Sequence, residues 1–231
     1  MSNDALETIF APGGFLAGLR ESCARDWQDY VAHPFVKGLG DGSLPEASFR
    51  HYLVQDYLFL IHFARAYALA AYKGETLEEI GSAMRACAAI VDTEMALHLT
   101  FCAEWGLSEA DMAATPEATG TLAYTRYVLE RGVAGDLLDL HVALAPCVLG
   151  YAEIGLALSQ GQAALNAPNP YRPWIEMYAG EEYQAVAREA SHFIEALSHR
   201  RGADARRHGL EKVFADATRL EIAFWDQGMA V

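Results

Sequence analysis

The stretch YLVQDYLFLIHFARAYALAAY, Tyr52 to Tyr72, decides the fold. Its apolar residues recur three and four apart, the period of an α-helix and not of a strand. They cover nearly the whole circumference, and a helix apolar all round belongs inside a bundle. Just before it, Ser43-Leu44-Pro45-Glu46 reads as a capping box: the serine caps, the proline takes the first turn and the glutamate reaches back. Gly74 stops the helix after Lys73. The same period predicts helices over about 14–32, from Thr76 to near Gly106, and over 118–132, 136–160, 170–179, 181–200 and 204–228, with His33-Pro34-Phe35 ending the first. Few β-branched runs interrupt them. The fold class expected is all-α, as one domain spanning residues 1–231, because no low-complexity linker divides the chain.

The bulk charge narrows the partners. A formal charge of −14 repels phosphate backbones and anionic headgroups, so neither nucleic acid nor a membrane surface is expected as a partner. The basic cluster SHRRGADARRHG, Ser198 to Gly209, reads as a solvated loop between helices. The first residues show no basic region followed by an apolar one, so no secretory signal is read. The longest apolar run, around Val142 to Ala152, reads as too short to span a bilayer. Cys23, Cys87, Cys102 and Cys147 lack the spacing of a disulfide framework or a zinc knuckle, and a cytoplasmic protein with reduced thiols is expected.

Polar residues on apolar faces need reasons. At helical spacing Phe49, Tyr52, Leu53, Asp56, Phe59, Leu60, Phe63 and Tyr67 share one face, with Asp56 its one carboxylate. A buried carboxylate must be paired, and an arginine such as Arg65 or a backbone N–H is the plain structural partner. The last helix repeats the pattern. Phe214, Ala217, Thr218, Glu221, Phe224 and Trp225 share a face, while Lys212, Asp216, Arg219 and Asp226 fall largely off it. An acid in a poorly hydrated aromatic slot has its pKa raised and suits general acid work; a buried salt bridge is the alternative. In LHVALAPCVLGYAEIG, Leu140 to Gly155, Cys147 and Tyr151 lie one turn apart and Gly150 beside them leaves room for a ligand. Pro146 has no N–H, so a bend is expected there. An inert core thiol is the alternative for Cys147. Glu94 and His98 are spaced to share a helix face and could ligate a metal, with His62 or His33 as further ligands; a satisfied core pair with no metal is preferred.

Several blocks then acquire a common meaning. HPFVKGLGDGSLPEASFRHYLVQDYLFLIHFARAYALA (His33 to Ala70), VDTEMALH (Val91 to His98), EATGTLAYTRY (Glu117 to Tyr127), ALAPCVLGYAEIG (Ala143 to Gly155), PYRPWIEMYAGEEY (Pro170 to Tyr183) and EIAFWD (Glu221 to Asp226) resemble, in the same order, blocks of the TenA (thiaminase II) family. The resemblance runs from about Gly14 to Asp226. It implies a haem-oxygenase-like helical bundle, assembled as a homotetramer, that needs no cofactor. It implies hydrolysis of 4-amino-5-aminomethyl-2-methylpyrimidine, and for many members of thiamin itself, to the hydroxymethyl pyrimidine. Carried over by position, Cys147 matches the family nucleophile, Glu221 the catalytic glutamate, Asp56 the pyrimidine-binding aspartate, and Tyr124, Tyr151 and Tyr178 the pocket tyrosines. Phe59, expected to stack on or flank the ring, stands where the family often has tyrosine, which removes a hydroxyl near the expected thiol.

Two other function classes share parts of this pattern. A haem-oxygenase-like metal oxidase would use Glu94 and His98. A non-catalytic pyrimidine or thiamin carrier would use the same pocket without turnover.

Overall fold

In the computed structural model, which describes residues 6, 8–103, 105–161 and 168–230, with the side chains of Thr93 and Leu97 excepted, Tyr52–Tyr72 lies within a single helix, Glu46–Lys73. All eight residues of the face centred on Asp56 are buried. The described elements are helical throughout: α1 Phe15–Ser22, α2 Ala24–Val31, α3 Pro34–Asp41, α4 Glu46–Lys73, α5 Leu77–Ala89, α6 Met95–Ala103, α7 Glu109–Ala114, α8 Thr119–Ala134, α9 Leu137–Gln160, α10 Arg172–Ala179, α11 Glu181–Arg200 and α12 Arg207–Met229. A π-helical segment, Ile90–Glu94, joins α5 to α6, and a 3₁₀ turn, Ala203–Arg206, leads into α12. No strand occurs among the described residues.

The differences from expectation have local causes. The helix expected over 14–32 breaks at Cys23, whose φ of −125° and ψ of 34° leave the helical region. Pro34 does not end a helix but opens one. It takes the first position of α3, and the Nδ1 of His33 accepts the Phe35 N–H at 3.2 Å. Proline is as well suited to a helix start as to a stop, and the sequence reading took only the second sense. Helix α4 opens at Glu46, so Ser43 lies two residues ahead of the position that would cap it. Thr76 does cap α5, accepting from the Glu79 N–H at 3.1 Å. The helix α7 was not expected, although Ser108 and Asp111 form a reciprocal capping box at its start. The basic cluster from Ser198 to Gly209 is not a loop. It is the end of α11, the 3₁₀ turn and the start of α12, turned at Gly202 with φ of +61°.

The described residues fall into two compact units. One draws on the chain up to Pro45 and on Val142–Trp225; the other draws on Glu46–His141 and the chain from Asp226 onward.

In the first unit, α1 begins without a capping side chain of its own. The Glu195 carboxylate of α11 replaces it, accepting from the Phe15 and Leu16 N–H groups at 2.9 Å each. Glu153 on α9 takes Arg20 at 2.7 Å and the Trp27 indole N–H at 3.0 Å, which satisfies a buried carboxylate on an otherwise apolar helix. Stacked rings fill the core: Trp27 on Phe214 at 5.5 Å and Phe35 on Trp225 at 4.9 Å.

In the second unit, Gln55 locks α8 onto α4. Its amide oxygen accepts from the Ala118 N–H and the Thr121 hydroxyl, each at 2.8 Å, and its nitrogen donates to the Pro116 carbonyl at 3.1 Å. A buried amide satisfied at both ends holds two helices in one register. Helix α9 is long and apolar enough, by length and composition, to cross a membrane, contrary to the sequence reading. Its apolarity has a plain use, since 72 % of its most apolar window is buried inside the protein.

Candidate active site

Helix α9, which belongs to the first unit from Val142 onward, runs unbroken through Pro146 to present Cys147, a half-buried thiol. The Tyr30 hydroxyl donates to the Pro146 carbonyl at 3.3 Å, just before the cysteine. The space beside Gly150 is not open for a ligand as expected. A Cβ there would meet the Tyr30 ring at 2.2 Å, so the glycine makes room for the protein's own tyrosine. One turn on, a Cβ at Gly155 would meet the Tyr178 carbonyl carbon at 2.5 Å. The absent side chain therefore lets the end of α10 lie against α9. Gln184 secures that approach, donating to the Tyr178 carbonyl at 2.8 Å and the Ala152 carbonyl at 3.0 Å.

The result is a wall of rings. Tyr151 lies 4.9 Å from Tyr178, 5.9 Å from Trp174 and 5.4 Å from Trp225. Trp225 sits one turn beyond Glu221 on α12, and Phe214, Ala217, Thr218, Glu221 and Phe224 are buried with it. Asp216, by contrast, pairs with Lys212 at 2.6 Å and with Arg219, on the polar side of the helix. Tyr151 and Tyr178 are thus brought together, and Cys147 and Glu221 each stand one helical turn from a member of the same cluster.

Asp56, Phe59 and Tyr124 belong to the second unit. The Phe59 and Tyr124 rings lie 5.1 Å apart, and Phe63 lies 5.2 Å from Phe59. Asp56 is not partnered by Arg65, whose guanidinium instead approaches His62 at 3.2 Å. The Asp56 Oδ2 accepts from the Tyr52 hydroxyl at 3.1 Å and meets His98 Nε2 at 2.6 Å. The other ring nitrogen of His98, Nδ1, lies 2.9 Å from the Glu94 carbonyl. The expected Glu94–His98 pair therefore exists through Glu94's backbone, and the carboxylate bound to His98 is Asp56. Burial works to lower the His98 pKa. The hydrogen bond and charge of Asp56, with the charge and carbonyl of Glu94, outweigh it and raise the pKa to about 8. Burial, then the Asp56 charge, pushes the nearby Cys102 thiol up to about 11, so it stays protonated. Among the described residues no three His, Cys, Asp or Glu side chains converge as a metal site would require.

Gln184 was not among the residues singled out from sequence, Tyr52 was read only as part of the apolar face, and His98 was read as a partner of Glu94 and not of Asp56. Tyr52 precedes Asp56 by one turn, a visible spacing. The His98–Asp56 contact spans 42 residues and leaves no local trace.

A sequence model described as the TENA/THI-4/PQQC family matches residues 21–230. The chain is 37% identical to an aminopyrimidine aminohydrolase of Halalkalibacterium halodurans, over 92% of this chain and 94% of that protein. Among solved structures, one titled a TenA family transcription regulator, from Silicibacter sp. TM1040, is 43% identical with a TM-score of 0.88, covering 95% of this chain and 98% of that one. A domain of unknown function from Shewanella denitrificans, titled as having a heme oxygenase-like fold, is 16% identical with a TM-score of 0.73, covering 93% of this chain and 92% of that one, and speaks for the fold alone.

Proposed function

The chain belongs to the TENA/THI-4/PQQC family, and from that premise we propose that it is an aminopyrimidine aminohydrolase of the thiaminase II type. Its substrate is 4-amino-5-aminomethyl-2-methylpyrimidine, with thiamin as a further candidate. The similarity to the Halalkalibacterium halodurans aminohydrolase, over nearly the full length of both chains, carries the reading. The formal charge of −14 opposes binding to a nucleic acid.

Cysteine catalysis follows from the chemistry of the ring. Direct displacement at the exocyclic CH₂ is slow, because the ring is electron-poor and an amine leaves badly. The Cys147 thiolate adds to ring C6 while Glu221 gives a proton to N1, so the ring loses its aromatic hold on the C4=C5 pair. The 4-amino lone pair then drives those electrons to the exocyclic carbon, the C–N bond to the leaving amine breaks, and the amine departs with a proton. Water adds to the exocyclic methylene, the electrons return, N1 gives its proton back and the thiolate leaves. One ammonia is released and one water consumed. Asp56 accepts from the 4-amino group, whose N–H becomes more acidic as its lone pair is drawn in. Phe59, Tyr124, Tyr151 and Tyr178 supply ring surfaces for the pyrimidine. As a homotetramer, the chain would cover Leu77, Met84 and Val91, exposed apolar residues seven apart along one helical run.

Incubating the purified protein separately with the aminomethyl pyrimidine and with thiamin, and following hydroxymethyl pyrimidine by chromatography and mass spectrometry, tests the reading. Product from the first substrate supports it. Binding without product over hours reduces the protein to a carrier.

A further inference from the structure

His98 lies outside the proposed chemistry, yet its surroundings are unusually demanding. It is buried, and both of its ring nitrogens face acceptors: Nδ1 the Glu94 carbonyl at 2.9 Å, Nε2 the Asp56 Oδ2 at 2.6 Å. A carbonyl only accepts, so Nδ1 must carry a proton. If Nε2 were bare, two sets of lone pairs would meet at 2.6 Å inside the protein. The pair therefore holds a second proton between its members, as imidazolium and carboxylate. The π-helical segment Ile90–Glu94 ends at the residue whose carbonyl His98 grips.

The consequence falls on Asp56. Both of its contacts, from Tyr52 at 3.1 Å and from His98, go to Oδ2. Oδ1 accepts no hydrogen bond from the described residues. One oxygen is thus clamped and the other is left as an acceptor of fixed direction.

We propose that His98 is a positioning residue: held between the Glu94 carbonyl and Asp56 Oδ2, it fixes the carboxylate so that Oδ1 receives the 4-amino N–H of an aminopyrimidine. This rests on the reading of Asp56 as the pyrimidine-binding carboxylate. The charged and titratable groups around the pair are Asp56 and Glu94 acting on His98, and Tyr52 and Cys102 near Asp56. Cys102 stays neutral, so the clamp is lost when His98 sheds its proton, near pH 8. Above that pH either the Nε2 contact or the Nδ1 contact must break, and Asp56 is released to turn.

The test measures affinity for 4-amino-5-hydroxymethyl-2-methylpyrimidine, which has no side-chain amine to titrate in the same range, by calorimetry between pH 6.5 and 9.5. Wild-type affinity should fall as pH rises through about 8. His98→Gln keeps a donor toward Asp56 but cannot titrate. It should bind roughly tenfold more weakly at pH 7 and show no step. It should also raise KM more than it lowers kcat. Tyr52→Phe removes the other donor and no charge, and should keep the step. A step that persists in His98→Gln, or wild-type affinity in that variant, overturns the proposal. A change confined to its melting temperature does so too. Should His98→Gln fail to fold, the step in wild type and in Tyr52→Phe decides: present in both, it supports the proposal, and absent from wild type, it overturns it. Asp56→Asn separates the two levels. If Asp56→Asn loses binding while His98→Gln keeps affinity and step, only the role of His98 falls; if Asp56→Asn binds like wild type, the assignment of Asp56 falls with it.

Discussion

In α4 the buried acid, Asp56, is enclosed by polar partners; in α12 the buried acid, Glu221, shares its face with Phe214, Phe224 and Trp225. The two look alike as sequence, each the single carboxylate on an aromatic stripe. A carboxylate that accepts from a phenol and an imidazolium is built to receive hydrogen bonds and is a poor source of protons. The proposed reaction asks Glu221, on its aromatic face, to give one. Similar patterning is thus set to opposite halves of the proposed reaction.

The comparison can be broken most sharply at the thiol. Cys147→Ser should lower turnover by at least about 10³-fold while leaving affinity for the hydroxymethyl pyrimidine near wild type, as steady-state rates beside calorimetry will show. Near-wild-type turnover would remove the covalent step and with it the need for a proton at N1. Glu221→Gln keeps size and a hydrogen bond but transfers no proton. It should cut kcat by on the order of 10²–10⁴ with little loss of binding, and erase the alkaline limb that a general acid imposes on the pH–rate profile. An equal loss of rate and affinity would make Glu221 a binding group like Asp56, and the contrast between the two would vanish.

Stability measurements sharpen the other side. Asp56→Asn removes the anion that keeps buried His98 protonated, so the ring must shed its proton or stand charged and unpaired, and the variant should lose about 3 kcal/mol in urea unfolding near pH 6.5. In wild type the same pair gives a pH signature of known sign. The folded state holds the His98 proton up to about pH 8, against an ordinary value of 6.5, so its contribution is complete below about 6.5 and is lost as pH rises through 8. The loss amounts to about 2 kcal/mol. Comparing urea midpoints at pH 6.5 and 9 in wild type and in His98→Gln isolates it, because the variant should lack this step. Gly155→Ala probes the aromatic unit instead. Its Cβ would press on the Tyr178 backbone, which cannot swing aside, and an expected cost of about 1–3 kcal/mol should appear as a lower melting temperature.

What could be read in advance was what the chain encodes locally. The faces of α4 and α12 were legible because burial repeats with the helix, and Thr76 was legible as a cap because a threonine three residues before a glutamate is a local signal. Ser108 with Asp111 was equally local and went unread because the helix it opens is short. Gly150 was misread, since the ring that fills its space comes from Tyr30, far earlier in the chain. His98 beside Asp56 was illegible for the same reason: nothing near either residue announces the other. The roles proposed for Cys147 and the pocket tyrosines came from the family resemblance and not from physics, because a thiol one turn from a tyrosine on an apolar helix is, by itself, an ordinary core feature, whereas the aromatic face of Glu221 already left a general acid or a buried salt bridge as its two readings.

The π-helical segment Ile90–Glu94 bears on how this chain can vary in length. An α-helix turns about 100° with every residue, so losing or gaining one inside α5 or α6 would swing everything beyond it to a new direction. A π turn closes its hydrogen bonds over one residue more than an α turn. Deleting a single residue from Ile90–Glu94 can restore a regular helix while its two flanks keep their facing. Along this run, which carries His98 toward Asp56, those five positions are where loss of a single residue should do least harm.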